Sequence, residues 1–151
     1  MKKIIYLIIT LLFSLILIAC SETSIDYKVH TYHLRLLDRH TLVRTKEELE
    51  EQINEVKDYD KGNHLTEYIN QLTSYSNKYF ENNYLVLANV TMGSGSITLS
   101  INKITVSNDI LKIKYKTKSP NVVTQDVKAW NFIIEIDKYE QVSKLEPSIN
   151  I

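Results

Sequence analysis

Few side chains in this sequence could do chemistry, and their spacing decides which of them can act together. Of the four histidines, His30 and His33 are three apart. A strand sends positions three apart to opposite faces, so these two cannot share a metal there, and the segment does not read as helix. His40 and His64 are isolated. All four read as exposed or locally bonded. Ser94 lies between Gly93 and Gly95, as a nucleophile would on a sharp turn. However, Met92 occupies the first glycine position of G-x-S-x-G, and every histidine precedes Ser94. A phosphate cradle needs a following lysine and a helix N-terminus, but a strand pattern follows Gly95. Glu47, Glu48, Glu50, Glu51 and Glu55 crowd one segment. Acid–base catalysis needs a cleft that separates carboxyl pKa values, and a solvated helix face explains these residues better. Neither a metal nor a cofactor is expected, and the chain reads as non-enzymatic.

Cys20 is the one cysteine, and its neighbours suggest what its thiol does. Lys2 and Lys3 precede an apolar run from Ile4 to Ile18, broken only by Thr10 and Ser14. Leu17-Ile18-Ala19-Cys20 then closes the run. The arrangement resembles a bacterial lipoprotein signal: a small residue lets a peptidase reach the backbone, and the thiol carries a diacylglyceryl group. A spanning helix needs about 20 apolar residues, and this run has about 15. An ordinary secretory site would not need a cysteine. An uncleaved anchor and a plain secretory signal are the alternatives. Two acyl chains suffice for stable anchoring, at about 0.8 kcal/mol per buried CH₂. The expected location is therefore the extracytoplasmic face of the cell membrane, with membrane lipid as a partner through Cys20.

Removing residues 1–19 leaves 132 of 151 residues, enough for one domain with a core. Lys2 and Lys3 leave with the signal, so 16 basic side chains face 18 acidic ones. With neither sign dominant, nucleic acid is not an expected partner. With Cys20 lipidated no thiol remains, so the fold must hold without disulfides.

Residues 20–26 are polar and lack periodicity, and read as a tether. Extended, it reaches only ~20–25 Å from the bilayer. The domain proper spans 27–138, and 139–151 reads as a loose tail. Tyr27–Val43 reads as one or two strands, with a turn at Asp38-Arg39-His40. Thr45-Lys46-Glu47-Glu48 has the form of a capping box, and Leu49, Ile53 and Val56 form the apolar stripe of the helix it opens. Asn63 can cap a second helix carrying Leu65, Ile69 and Leu72, and residues 78–81 look like a single helical turn. Residues 84–90 form a continuous apolar run, as in a strand covered on both faces. From Ile97 apolar residues alternate, and the phase slips by one at Lys103, which predicts a β-bulge at Asn102-Lys103. Ser107-Asn108-Asp109 reads as a hairpin turn. Lys112, Lys114, Lys116 and Lys118 then share one strand face, either plain solvent face or a contact for anionic headgroups, and would discourage edge pairing. A loop containing Pro120 leads to a last strand with Trp130, Phe132, Ile134 and Ile136 on one face. The expected fold class is α+β: two amino-terminal helices packed on an antiparallel sheet of about five strands, as a small sandwich or partly open barrel.

Two features remain as contact candidates. Gly93, Ser94, Gly95 and Ser96 form either a tight turn, with glycine permitting close backbone approach, or a loop that touches a partner. Trp130 is either core or an exposed anchor, since Trp is enriched among binding hot spots. A small ligand or glycan bound on Tyr75, Tyr79 and Tyr84 is the alternative, because aromatic faces suit sugars and cations.

Residues 79–138 resemble the carboxy-terminal domain of PrcB-type protease complex subunits. The likeness lies in the order of the pieces: Tyr79-Phe80-Glu81-Asn82, the strand Leu85-Val86-Leu87, the turn Gly93-Ser94-Gly95-Ser96-Ile97, a lysine-rich hairpin, the Pro120 loop, and the strand Ala129 to Lys138. The resemblance implies a non-enzymatic subunit that binds or stabilises an extracytoplasmic protein, a protease being the implied class. Ser96 departs from the pattern, standing where an aromatic residue is common. The 120–126 loop lacks the glycine and cysteine that many relatives carry.

Overall fold

The computed structural model of the chain describes residues 22–59, 65–121, 124–139 and 141–150. Cys20, the expected signal segment 1–19, Asn63 and His64 lie outside these residues. Among the described residues, eight strands and three helices follow in the order β1 (Thr23–Ser24), β2 (Tyr27–Tyr32), β3 (Arg39–Val43), α1 (Lys46–Tyr59), α2 (Thr66–Thr73), α3 (Asn77–Asn82), β4 (Asn83–Met92), β5 (Thr98–Ser107), β6 (Ile110–Lys118), β7 (Lys128–Asp137) and β8 (Lys144–Asn150). The strands form two four-stranded sheets, ordered β1-β5-β6-β8 and β2-β7-β4-β3. The α+β class is as expected, and of the two forms considered it is the sandwich.

The molecule has three layers because the β2-β7-β4-β3 sheet is apolar on both sides. One face of its central strands carries Tyr84, Val86, Ala88, Trp130, Phe132 and Ile134, which pack against Leu99, Ile104, Leu111, Ile113 and Tyr115 of the other sheet. The opposite face carries Leu85, Leu87 and Ile133, which pack against Leu49, Ile53 and Val56 of α1 and Tyr68 and Leu72 of α2. The uninterrupted apolar run of β4 is thus explained by burial on both faces. Helix α1 starts where the capping box put it. The Glu48 N–H donates to Thr45 Oγ1 at 3.1 Å, and Glu48 Oε2 accepts from the Arg44 N–H at 2.6 Å.

The bulge falls where the phase slip placed it: register shifts between Ile101 and Lys103 against β6. Asn108 and Asp109 have φ of 49° and 62°, the paired positive values of a two-residue hairpin turn.

Four expectations are corrected. Residues 144–150 are not a loose tail but strand β8, parallel to β6, with Leu111 opposite Leu145. Val142 and Leu145 supply the apolar contacts that hold it, and Pro147 is tolerated because β8 is an edge strand. Residues 22–26 are not tether either. Thr23 and Ser24 pair with Val106 and Thr105, and Ile25 is 3% exposed in the inter-sheet core. Asp38-Arg39-His40 is not a turn, since Arg39 and His40 already pair with Asn89 and Ala88. Lastly, the lysine row does not guard an edge: β6 is interior, between β5 and β8.

Candidate functional site

Strand directions gather three loops at one pole of the sandwich. β4 ends at Met92 opposite Lys128, where β7 begins, and β5 begins at Thr98 opposite Lys118, where β6 ends. Loops 93–97 and 119–127 are therefore neighbours. The 33–38 segment joins them through Asp38, whose Oδ1 accepts from Thr91 Oγ1 at 2.5 Å. Behind it sits a buried amide pair. Asn131 Nδ2 donates to Asn89 Oδ1 at 3.1 Å, and Asn131 Oδ1 accepts from the Leu34 N–H at 2.6 Å.

The glycine loop is clamped to its neighbour by hydroxyls. Ser94 Oγ lies 2.8 Å from Ser96 Oγ and 3.0 Å from Thr124 Oγ1. The Ser96 N–H donates to Thr124 Oγ1 at 3.2 Å, and the Thr124 N–H donates to Ser96 Oγ at 3.2 Å. The Gly95 N–H donates to Asp126 Oδ1 at 3.2 Å. A Cβ at position 95 would overlap that carboxylate, whereas one at 93 would meet nothing within 4 Å. Close approach, and not positive φ, is what requires glycine at 95, since neither Gly93 nor Gly95 has positive φ. Hydrogen bonds from the Thr124 side chain, its own backbone and the Gly95 N–H hold the Asp126 carboxyl below its usual range.

The five residues singled out as contacts divide. Gly93 is exposed, and Gly95 and Ser96 are half-buried. Ser94, 1% exposed, and Trp130, 6% exposed, are buried. Ser94 is therefore the clamp's hub rather than a contact, and its Oγ faces hydroxyls, not an imidazole. Trp130 is core. His33 meets its ring edge-on at 4.4 Å, Lys128 Nζ sits 4.5 Å from its centroid, and Phe132 stacks at 6.3 Å. Its indole N–H is buried without a partner among the described residues. The structure adds Leu37 and Val127, which are 61% and 59% exposed. They are the two most exposed large apolar side chains among the described residues, and both lie in loops of this pole. No sequence signal marks them, because Leu37 reads as the end of a strand and Val127 as part of a loop.

The tyrosine surface does not form. Tyr84 faces the other sheet while Tyr75 packs under the helices, so the sheet separates them. Tyr75 and Tyr79 turn toward each other, with centroids 4.7 Å apart. Burial pushes both phenols above the usual tyrosine range. Tyr75 Oη donates to Glu135 Oε1 at 2.9 Å, and His30 Nε2 lies 3.1 Å from the same oxygen. A hollow of about 600 Å³ lies between Tyr32, His33, Glu67 and Tyr68. Tyr68 is committed to the helix-side core, which leaves half-buried Tyr32 as the one tyrosine ring at its wall. His40 Nε2 lies 2.8 Å from Tyr115 Oη, so of the described histidines His30, His33 and His40 are all locally bonded. No group of three or more His, Cys, Asp or Glu that could hold a metal occurs among the described residues. No helix among them is long and apolar enough to cross a membrane.

Compared with known protein families, curated proteins and solved structures, the chain matches none.

Proposed function

We propose that this chain is a lipid-anchored, extracytoplasmic interaction module, non-enzymatic, that binds or stabilises a protein partner through the pole formed by the 33–38, 93–97 and 119–127 loops. A protease is the class of partner implied by the resemblance to PrcB-type subunits. The observation that carries the reading is the exposure of Leu37 and Val127 beside a loop already locked in shape. Apolar side chains held out on a rigid platform lose little entropy on binding, so more of their burial appears as affinity. The anchor leaves this pole uncovered. The chain enters the fold at Thr23, opposite Val106, near the far end of β5 and roughly 30 Å from Thr98 along a ten-residue strand.

The test is photo-crosslinking in native membranes from position 93, where added atoms have room, and from Lys78 on the helix layer. A partner captured from 93 and lost in Leu37→Asp/Val127→Asp supports the reading. The same captured species from wild type and variant refutes the loop pole as the contact.

A further inference from the structure

We propose that the outer face of the β1-β5-β6-β8 sheet docks on an anionic lipid bilayer, so that the domain lies sheet-down on the membrane instead of standing off on a tether. The inference rests on the reading of Cys20 as the lipid anchor.

Burial of Leu111, Ile113 and Tyr115 on β6 turns Lys112, Lys114, Lys116 and Lys118 outward by strand alternation. The bulge adds a fifth. By shifting the phase of β5 it buries Ile104 and sets Lys103 opposite Lys114 on the outer side. Strand β8 adds Lys144, because Leu145 beside it packs into the core. Among the described residues Glu22 and Glu146 are carboxylates on this face, Glu146 lying opposite Lys112, and Asp26 joins them at its margin in the hollow it shares with Lys103. Six lysines against three carboxylates make a basic sheet in a chain whose formal charge is zero.

The entry of the chain puts this face next to the anchor. Glu22 accepts from Thr105 Oγ1 at 2.7 Å and from Lys114 Nζ at 3.0 Å, so residue 22 is already fixed on the basic side. Only Ser21 separates it from Cys20, a reach of about 7 Å. That is within the Debye length of about 8 Å at physiological ionic strength, so headgroup charge is felt across the gap. The compensating acids lie on the far side. Exposed Glu47, Glu50, Glu51 and Glu55 ride on α1, which packs on the other sheet. With sheets about 10 Å apart and a helix layer beyond, they stand more than a Debye length from a surface under the lysines. A lipid chain together with a polybasic patch is a two-signal attachment. Lying sheet-down leaves the loop pole at the side, open to a partner held at the same membrane.

The full chain, purified from membranes with its native amino terminus, is reconstituted into vesicles of phosphatidylcholine alone or with phosphatidylglycerol. Amine acetylation is read by mass spectrometry. Lys103, Lys112, Lys116 and Lys118 are expected to react about fivefold more slowly on anionic vesicles, the scale of one favourable lysine–headgroup contact. Lys57 and Lys78, on the helix layer, keep their rates. Raising salt to about 1 M, where the Debye length is near 3 Å, removes the difference. Lys116→Glu/Lys118→Glu, at two exposed positions, weakens protection at Lys103 and Lys112. Equal rates on the two vesicles with an acylated Cys20 overturn the docking face and leave the anchor standing. A Cys20 without acyl mass overturns the anchor and this proposal with it.

Discussion

Ile25 is the residue on which sequence and structure part most sharply, and one substitution separates them. In a tether, Ile25→Ala would change stability by no more than about 0.5 kcal/mol, as for any surface site. In the structure Ile25 is 3% exposed among Tyr84, Ile104 and Ile136 in the inter-sheet core. Its N–H donates to the Ile104 carbonyl at 3.0 Å, so the backbone holds it there. Removing three buried carbons at about 0.8 kcal/mol each costs ~2.4 kcal/mol. The incompletely collapsed cavity brings the total to ~3 kcal/mol, within the range for Ile→Ala. With a urea m-value of about 1–3 kcal/mol/M, the midpoint should fall by roughly 1–3 M. Trp130, the one tryptophan, is buried in the same core, so its fluorescence reports the loss directly. Ser24→Ala, exposed beside it, is the control and should leave the midpoint in place. A midpoint equally unmoved by Ile25→Ala would refute the placement of residues 23–25 in the sheet.

Two further outcomes are specific. Gly95→Ala forces the Asp126 carboxylate off the loop, so the Asp126 carboxyl should titrate closer to its ordinary value by NMR. Gly93→Ala should not move it, and equal titration in the two variants would show that the clamp does not run through Gly95. Burial holds the His40 imidazole below 6.5 although Asp38 opposes this. As pH falls through 6.5 the unfolded chain takes up a proton that the folded chain refuses. Stability is therefore full above 6.5 and declines toward the depressed folded pKa. Urea midpoints measured from pH 7 to 5 should decline, and His40→Gln should remove part of that slope. A His40 ring titrating at or above 6.5 overturns this account.

Features written in consecutive residues were legible. The capping box at Thr45–Glu48, the stripe Leu49-Ile53-Val56, the phase slip at Lys103 and the turn at Asn108-Asp109 each carry their physics within a few positions. The pairing of loops 93–97 and 119–127 was not legible. It rests on hydroxyls and a carboxylate about thirty residues apart, as in Ser94–Thr124 and Gly95–Asp126. Ser, Thr and Asp in a loop look the same whether they face water or each other. Trp130 shows the same limit. Alternation gave its face along β7, but whether that face met solvent or a second sheet depended on β5 and β6.

The sequence alone determined the α+β class, the alternation that turns one row of lysines outward, and a single cysteine at the end of an apolar run. These depend on period and neighbour, which a chain carries locally. Tertiary structure decided that residues 22–25 and 144–150 belong to the fold. Short polar stretches have no periodicity of their own, and become strands only when an existing sheet edge offers their backbone hydrogen-bond partners. Those two additions complete the second sheet. They bring residue 22 onto its basic face and leave the three-loop pole at the other end of β5.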